Sequence, residues 1–306
     1  MNIIVTGGAG FIGSHLVDNL IMDGHNILVI DNLASGKLSN LNKTVKFENL
    51  DISDIRLNKI VESFKPNAVA HLAAQTSVHK STLDHMLDAQ TNILGSINLL
   101  KAINNAKCRN FVYVNTGGAL YGIPKYLPLD ENHVITPISP YGLSKWAAES
   151  YYSILKSKNQ NTKGLRLANV YGPRQDADGE LGVIPIFAKA MLANKPVNIY
   201  GDGNQTRDFV FVDDVVKAIK QAINTDSSFS VNISSGIGTS INCLYKMLTE
   251  IISNTKSPEY KNIRFSADSI NSVLSNKKAL EILHWTTKTK LRDGLKNTVE
   301  WINLNG

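Results

Sequence analysis

"IIVTGGAGFIGSHLVDNLIMDGHNILVIDN", residues 3–32, sets Gly7, Gly10 and Gly13 directly after a strand-like apolar run. They head a stretch whose apolar positions, Phe11, Ile12, Leu16, Leu20 and Ile21, follow helical spacing. Glycines at such a junction permit a tight turn, close approach of the backbone to a pyrophosphate and tight helix-to-strand packing. The unpaired N–H groups at the helix start and its dipole attract phosphate. Three glycines alone are weak evidence in a chain with 21 of them. Asp31 adds weight: it ends the next apolar run, 18 residues after Gly13, where a carboxylate can accept both hydroxyls of an adenosine ribose. A 2′-phosphate would meet like charge there, so the reading is NAD rather than NADP. Asp51 and Ile52, after the third apolar run, are candidate neighbours of the adenine.

Apolar runs of strand length recur along the chain at 2–6, 26–31, 45–49, 68–73, 110–116 and 163–170, and helical patterns separate most of them. Alternation of continuous apolar strands with helices predicts an α/β fold with a parallel sheet covered on both faces, a Rossmann-type doubly wound sheet. Beyond residue 170 the order is less regular. Residues 172–182 read as a polar loop, and a helix is entered near Pro185. Residues 197–223 read as a turn, a strand and a helix starting near Asp213. The expected organisation is a nucleotide-binding domain over 1–168, with 207–235 returning to it, and a smaller C-terminal α/β domain over 169–306.

The 306 residues are enough to bury a large core. With no basic leader ahead of "NIIVTG" and no long apolar run, neither a signal peptide nor a membrane span is expected, and the chain reads as cytoplasmic. The net charge of +6 is spread over scattered lysines rather than a basic stripe, which argues against nucleic acid. Cys108 and Cys243 lack metal-type spacing, so no metal site is expected.

Tyr-x-x-x-Lys occurs three times between residues 114 and 158: Tyr121 with Lys125, Tyr141 with Lys145, Tyr152 with Lys156. Pro124 interrupts the helix that the first pair needs. The third pair shares a helix face with Tyr141 but sits roughly 16 Å further along the axis. Tyr141 and Lys145 follow Pro140 in the first turns of a helix entering at the carboxyl edge of the sheet, where ligands bind in open α/β sheets. Thr116 ends the fifth strand at that edge, followed by Gly117 and Gly118.

Taken together, "TGGAGFIGSH", "HLAAQ", "NTGGALYG", "SPYGLSK" and "NVYGPRQ" resemble the extended short-chain dehydrogenases/reductases, and among them the nucleotide-sugar 4-epimerases, in the right order from residue 1 to about 285. The resemblance implies a catalytic set of Thr116, Tyr141 and Lys145. It implies NAD contacts at Gly7, Phe11, Ile12, Asp31, Asn32, Asp51, Ile52, Ala73 and Lys145, with Gly10 and Gly13 from the turn itself. A free tyrosine ionises at about pH 10, so phenolate at neutral pH asks for roughly 4 kcal/mol of selective stabilisation. Lys145 and a positive nicotinamide are expected to supply it. Tyr141 then takes a proton from a sugar hydroxyl as hydride leaves its carbon, and Thr116 hydrogen-bonds the same oxygen.

Where a dehydratase resembling this chain carries an acid after the fifth strand, here stand Gly117, Gly118 and Ala119. That favours a ketone that turns over and receives hydride on its other face, the redox-neutral course of an epimerase. Another sugar-nucleotide dehydrogenase or dehydratase is the alternative, and a non-enzymatic NAD-binding regulator the lesser one. By the same resemblance Asn169, Val183, Tyr200 and Arg207 hold a UDP-sugar in a C-terminal substrate domain, with Arg207 neutralising phosphate and Tyr200 beside the base. Phe265 stands where a second phosphate-binding arginine is expected, with Arg264 one place early. Ser272 falls where strict UDP-glucose/galactose enzymes are bulky, leaving room for a UDP-N-acetylhexosamine. Helices near 84–106 and 140–158 are expected to pair with their twofold mates in a homodimer.

Overall fold

The structure is a computed structural model that describes residues 1–176, 182–253, 256–262 and 271–305. The chain starts as β1 (Asn2–Thr6), α1 (Phe11–Met22), β2 (Asn26–Asp31), β3 (Lys46–Asn49), α2 (Leu57–Phe64) and β4 (Ala68–His71). It continues through α3 (Val78–Leu83), α4 (His85–Ala89), a π-helical turn (Gln90–Gly95), α5 (Ser96–Asn105), β5 (Asn110–Thr116), α6 (Pro140–Leu155) and β6 (Asn161–Leu167). Then come β7 (Asn169–Tyr171), α7 (Val183–Leu192), β8 (Asn198–Tyr200), β9 (Thr206–Phe211), α8 (Val212–Asn224) and β10 (Phe229–Ile233). Last are β11 (Gly238–Ser240), α9 (Ile241–Ile252), β12 (Glu259–Lys261), α10 (Lys277–Leu283) and α11 (Leu291–Asn305).

Two compact units form. The first takes residues 1–120, 137–166 and 216–231. Its sheet runs β10-β6-β5-β4-β1-β2-β3, and β1 pairs in parallel with both β2 and β4. Chain order reverses between β1 and β4, which opens a crevice at the carboxyl ends of those strands. The strands are buried on both faces: Ile3, Ile4, Val5, Val29, Ile30, Val69 and Val112 are all inaccessible. One face packs on α2, α5 and α6 through Leu57, Val61, Leu99, Ile103, Ala148 and Tyr152. Full burial of each such aliphatic side chain contributes about 1.5–3 kcal/mol.

The second unit takes 121–136, 167–215 and 232–306. It holds a three-stranded sheet, β11-β9-β7, and a two-stranded one, β12-β8. Trp285 is buried there with its indole N–H donating to the Asp214 carbonyl at 2.8 Å. The Asp214 carboxylate accepts from the backbone of Lys288 and Thr289.

Three local expectations change. The single strand expected over 163–170 is two: β6 belongs to the large sheet and β7, after Ala168, pairs with β9. The turn expected at 197–200 is β8, because it finds a partner some sixty residues on at β12. The helix expected over 84–106 is broken into α4, the π-helical turn and α5. A Cβ at Gly95 would come within 2.7 Å of the Ile52 side chain, so the wide turn seats directly on the third-strand exit.

Candidate active site

Four strand ends of the first unit place the sequence-predicted nucleotide residues at one edge. Gly7 follows β1 with φ +70°, a conformation side chains other than glycine rarely take. A Cβ on it would lie 2.5 Å from the Ala73 nitrogen, just past β4, and one on Gly13 would collide with the Gly7 carbonyl oxygen. The turn is a cradle that any side chain would fill. Gly10 caps α1 without a side-chain hydrogen bond, which leaves first-turn N–H groups open to a phosphate, with Phe11 and Ile12 half-buried behind them.

Asp31 ends β2, buried, and its carboxylate already holds the site's backbone: Oδ2 accepts from Ala9 N at 3.0 Å and Oδ1 from Leu33 N at 2.8 Å. Each oxygen keeps a second lone pair for a ribose hydroxyl. Asn32 donates to Asp51 Oδ2 at 2.7 Å. Burial opposes ionisation of Asp51, but hydrogen bonds from Ser53 and Asn32 outweigh it and hold the carboxyl below its usual range. Ile52 is part of the core, and its carbonyl accepts from Asn98 Nδ2 at 2.8 Å. The residues fit a dinucleotide with an unphosphorylated 2′-hydroxyl.

At the same edge β5 ends in Thr116, and α6 brings Tyr141 and Lys145. Pro140 at the first helical position and Ser139, whose hydroxyl accepts from Gly142 N at 3.1 Å, fix where the helix begins. Gly142 lets it come close: a Cβ there would collide with the Ala119 carbonyl oxygen. Ser81 of α3 accepts from the Tyr141 backbone N–H at 3.1 Å. The result places the Thr116 hydroxyl near enough to the Tyr141 phenol to favour its ionised form. Lys145 Nζ donates to the Val114 carbonyl at 2.9 Å and lies 4.2 Å from the centre of the Tyr113 ring. Burial lowers the Lys145 ammonium to about 7, against the raising charges of Glu149 and Asp88. Burial, then Asp88, pushes the Tyr141 phenol above its ordinary range, and the nearby Thr116 hydroxyl only partly offsets this. The expected activation of Tyr141 is therefore not built into the protein alone.

The other two tyrosines are structural. Tyr121 is buried in the second unit and donates to Asn232 Oδ1 at 2.7 Å. Tyr152 packs edge-on against Phe111 and Tyr113 at 4.6 and 4.8 Å.

In the second unit Arg207 of β9 forms a bridge with Ser272, and its strand pairs with β7, which begins at Asn169. Tyr200 ends β8, and its carbonyl accepts from Gln205 Nε2 at 2.8 Å. Val183 is the half-buried first residue of α7. Arg264 and Phe265 lie outside the described residues.

Sequence reading missed the polar support of the site. His71 is fully enclosed between Thr6 (2.7 Å) and Ser96 (3.1 Å), and burial drops its imidazole well below the usual range. Asp88 accepts from Gln75 and Asn92, and Asn92 reaches Ser144 on α6 at 3.1 Å. Glu149 pairs with Arg166 at 2.8 Å. Of these only Glu149 left a trace in sequence, two helical turns from Tyr141 on the same face.

Residues 3–234 match the NAD dependent epimerase/dehydratase family. The chain is 39% identical to the UDP-glucose 4-epimerase of Mycolicibacterium smegmatis over 98% of both chains. Its structure superposes on the crystal structure of Thermotoga maritima UDP-glucose 4-epimerase with UDP-glucose at a TM-score of 0.97, with 45% identity and 99% of each chain covered. The Thermus thermophilus UDP-glucose 4-epimerase complex with NAD gives 0.93 and 37% over the whole of both chains. A glycine cradle at the switch point, a buried carboxylate at the end of the second strand and a threonine–tyrosine pair beside a buried lysine are thus joined to full-length likeness, and the chain belongs to the NAD dependent epimerase/dehydratase family.

Proposed function

We propose that this protein interconverts the 4-epimers of a UDP-sugar, UDP-glucose and UDP-galactose foremost, with NAD retained through each cycle. The observation that carries the reading is the nearness of the Thr116 hydroxyl to the Tyr141 phenol at the strand edge, above the buried Lys145, with Gly117, Gly118 and Ala119 following the strand. Two hydroxyls this near each other can both reach one substrate oxygen. The absence of a carboxylate in that stretch favours turnover of the ketone over elimination.

Bound NAD would supply a reversible hydride acceptor for the sugar carbon, and its positive ring would favour the phenolate of Tyr141. Gly7, Gly10 and Gly13 open the phosphate cradle, backed by Phe11 and Ile12. Asp31 and Asn32 take the adenosine ribose, Asp51 and the Ile52 backbone flank the adenine, and Ala73 lines the path onward. Lys145 holds the nicotinamide ribose. Tyr141 removes the proton of the sugar 4-hydroxyl and gives it back, while Thr116 hydrogen-bonds the same oxygen throughout. For the UDP moiety we assign Arg207 to the diphosphate, Tyr200 to the base, and Asn169 and Val183 to the walls around it. Ser272, small and beside Arg207, leaves space for a 2-acetamido group.

The test is incubation of purified protein with UDP-glucose and with UDP-N-acetylglucosamine. Epimer without net NADH supports the proposal, while loss of water or accumulating NADH sinks it. A collapse of kcat/KM on the acetamido sugar would remove the role given to Ser272.

We further propose a homodimer through α6 and the helices at 78–105. Leu143, Tyr151 and Ile154 form one exposed apolar face of α6, and Leu83, Met86 and Leu94 are exposed on the neighbouring helices of the same unit. Sedimentation of Ile154→Arg should give monomers; an unaltered dimer would place the interface elsewhere.

A further inference from the structure

Glu149 sits on the buried face of α6, one helical turn beyond Lys145 and two beyond Tyr141. Its carboxylate gathers donors from three neighbouring strands. Arg166 of β6 donates from Nε at 3.2 Å and from Nη2 at 2.8 Å, Ser230 of β10 donates from Oγ at 2.9 Å, and Asn115 of β5 donates from Nδ2. Gly164 on β6 makes the room: a Cβ there would lie 2.7 Å from Ser230 Oγ and 3.3 Å from the Glu149 carboxyl carbon. Asn115 carries the connection forward, because its Oδ1 accepts from the Thr116 backbone N–H at 2.8 Å. A continuous chain of bonds therefore runs from the helix that bears Tyr141 and Lys145 to the strand end that bears Thr116.

A buried ion pair is a poor device for stability alone, since apolar residues of similar volume often serve as well or better, whereas its directional bonds select one register. We propose that Glu149, clamped by Arg166 and linked through Asn115, is a positioning residue of the oxidation step: it sets the offset of α6 against β5 and with it the approach of the Tyr141 and Thr116 hydroxyls. This rests on the assignment of Thr116, Tyr141 and Lys145 as the reacting set. The same carboxylate is foremost among the charges that keep Lys145 protonated against burial, with Asp88 second; His71, Tyr113 and Tyr141 are the other titratable groups around that ammonium.

Three variants test it. Asn115→Ala leaves the ion pair whole and cuts only the link to Thr116; kcat should fall about tenfold to a hundredfold, with KM for UDP-glucose held within about twofold and NAD content unchanged. Glu149→Gln should lose kcat to a similar extent and also move the alkaline limb of the kcat–pH profile to lower pH, and Glu149→Asp, which restores the charge, should return that limb. Should Glu149→Gln not fold, the double variant Glu149→Leu/Arg166→Met leaves no buried charge unpaired and should repeat the loss and the limb shift at an undiminished melting temperature. Wild-type kcat and pH profile in Asn115→Ala and in the double variant would overturn the inference. If in that case Tyr141→Phe is inert, only the positioning role falls; if Tyr141→Phe turns over normally, the active-site reading falls with it.

Discussion

The two ends of α6 carry the same spacing and opposite fates. Tyr141 and Tyr152 each precede a lysine by four residues on one helix face. The first lies near the Thr116 hydroxyl and donates its backbone N–H to Ser81 Oγ, at the strand edge. The second is enclosed by Phe111, Tyr113 and His71. Their lysines diverge likewise: Lys145 is buried under the site, while Lys156 caps a loop by donating to Ser228 Oγ at 2.9 Å. What separates chemistry from packing is the distance of a helical turn from the carboxyl ends of the strands, not the motif.

The largest effect expected along this contrast belongs to Tyr141→Phe. Turnover should drop about a thousandfold or more while NAD stays bound and the fold is kept, as read by epimer formation and cofactor absorbance. Tyr152→Phe should turn over like the parent; equal losses at both positions would erase the distinction. Next is Gly13→Ala, whose Cβ has no space beside the Gly7 carbonyl. It should purify without NAD, and full occupancy would refute the cradle. Tyr152→Ala should lower folding stability by about 3–5 kcal/mol, measured by urea unfolding, with activity per folded molecule near normal.

A smaller effect separates the ends by pH. His71, beside Tyr152, is held well below its ordinary value of 6.5 by burial and by the Lys145 charge. The unfolded chain takes up a proton below that value and the folded one does not, so stability contributed by this site is complete above pH 6.5 and is lost as pH falls beneath it. The loss should reach about 2 kcal/mol by pH 5. Urea unfolding of His71→Gln should be correspondingly less acid-sensitive; an identical acid slope would remove histidine as the cause. The smallest effect is chemical: burial raises the Cys108 thiol to about 12, so a thiol reagent should modify exposed Cys243 alone in the folded protein.

The sheet and the glycine turn were readable because their signals are local. Four or five apolar residues in a row, a glycine at each sharp contact and an acid at the strand end need no knowledge of distant residues. The position of Tyr141 in the first turn of α6 was readable too, through Pro140. What escaped depends on partners far along the chain. Glu149 meets Ser230, 81 residues away, and β8 is a strand only because β12 lies beside it. Ile52 belongs to the core because a π-helical turn more than forty residues later presses Gly95 onto it. The burial that opposes ionisation of both Tyr141 and Lys145 was not legible for the same reason: it follows from enclosure, which no window of sequence displays.

Gly142 bears on how this catalyst could change. The start of α6 already rests on the Ala119 carbonyl with nothing between but hydrogen, so the approach of the helix end that bears Tyr141 to the loop after Thr116 is gauged by a missing carbon. A single added methyl there would push the whole helix outward and mimic an active-site lesion at a position that meets no substrate. Redesign toward another sugar is better directed at Ser272 and its surroundings, because the oxidising end has no slack to give.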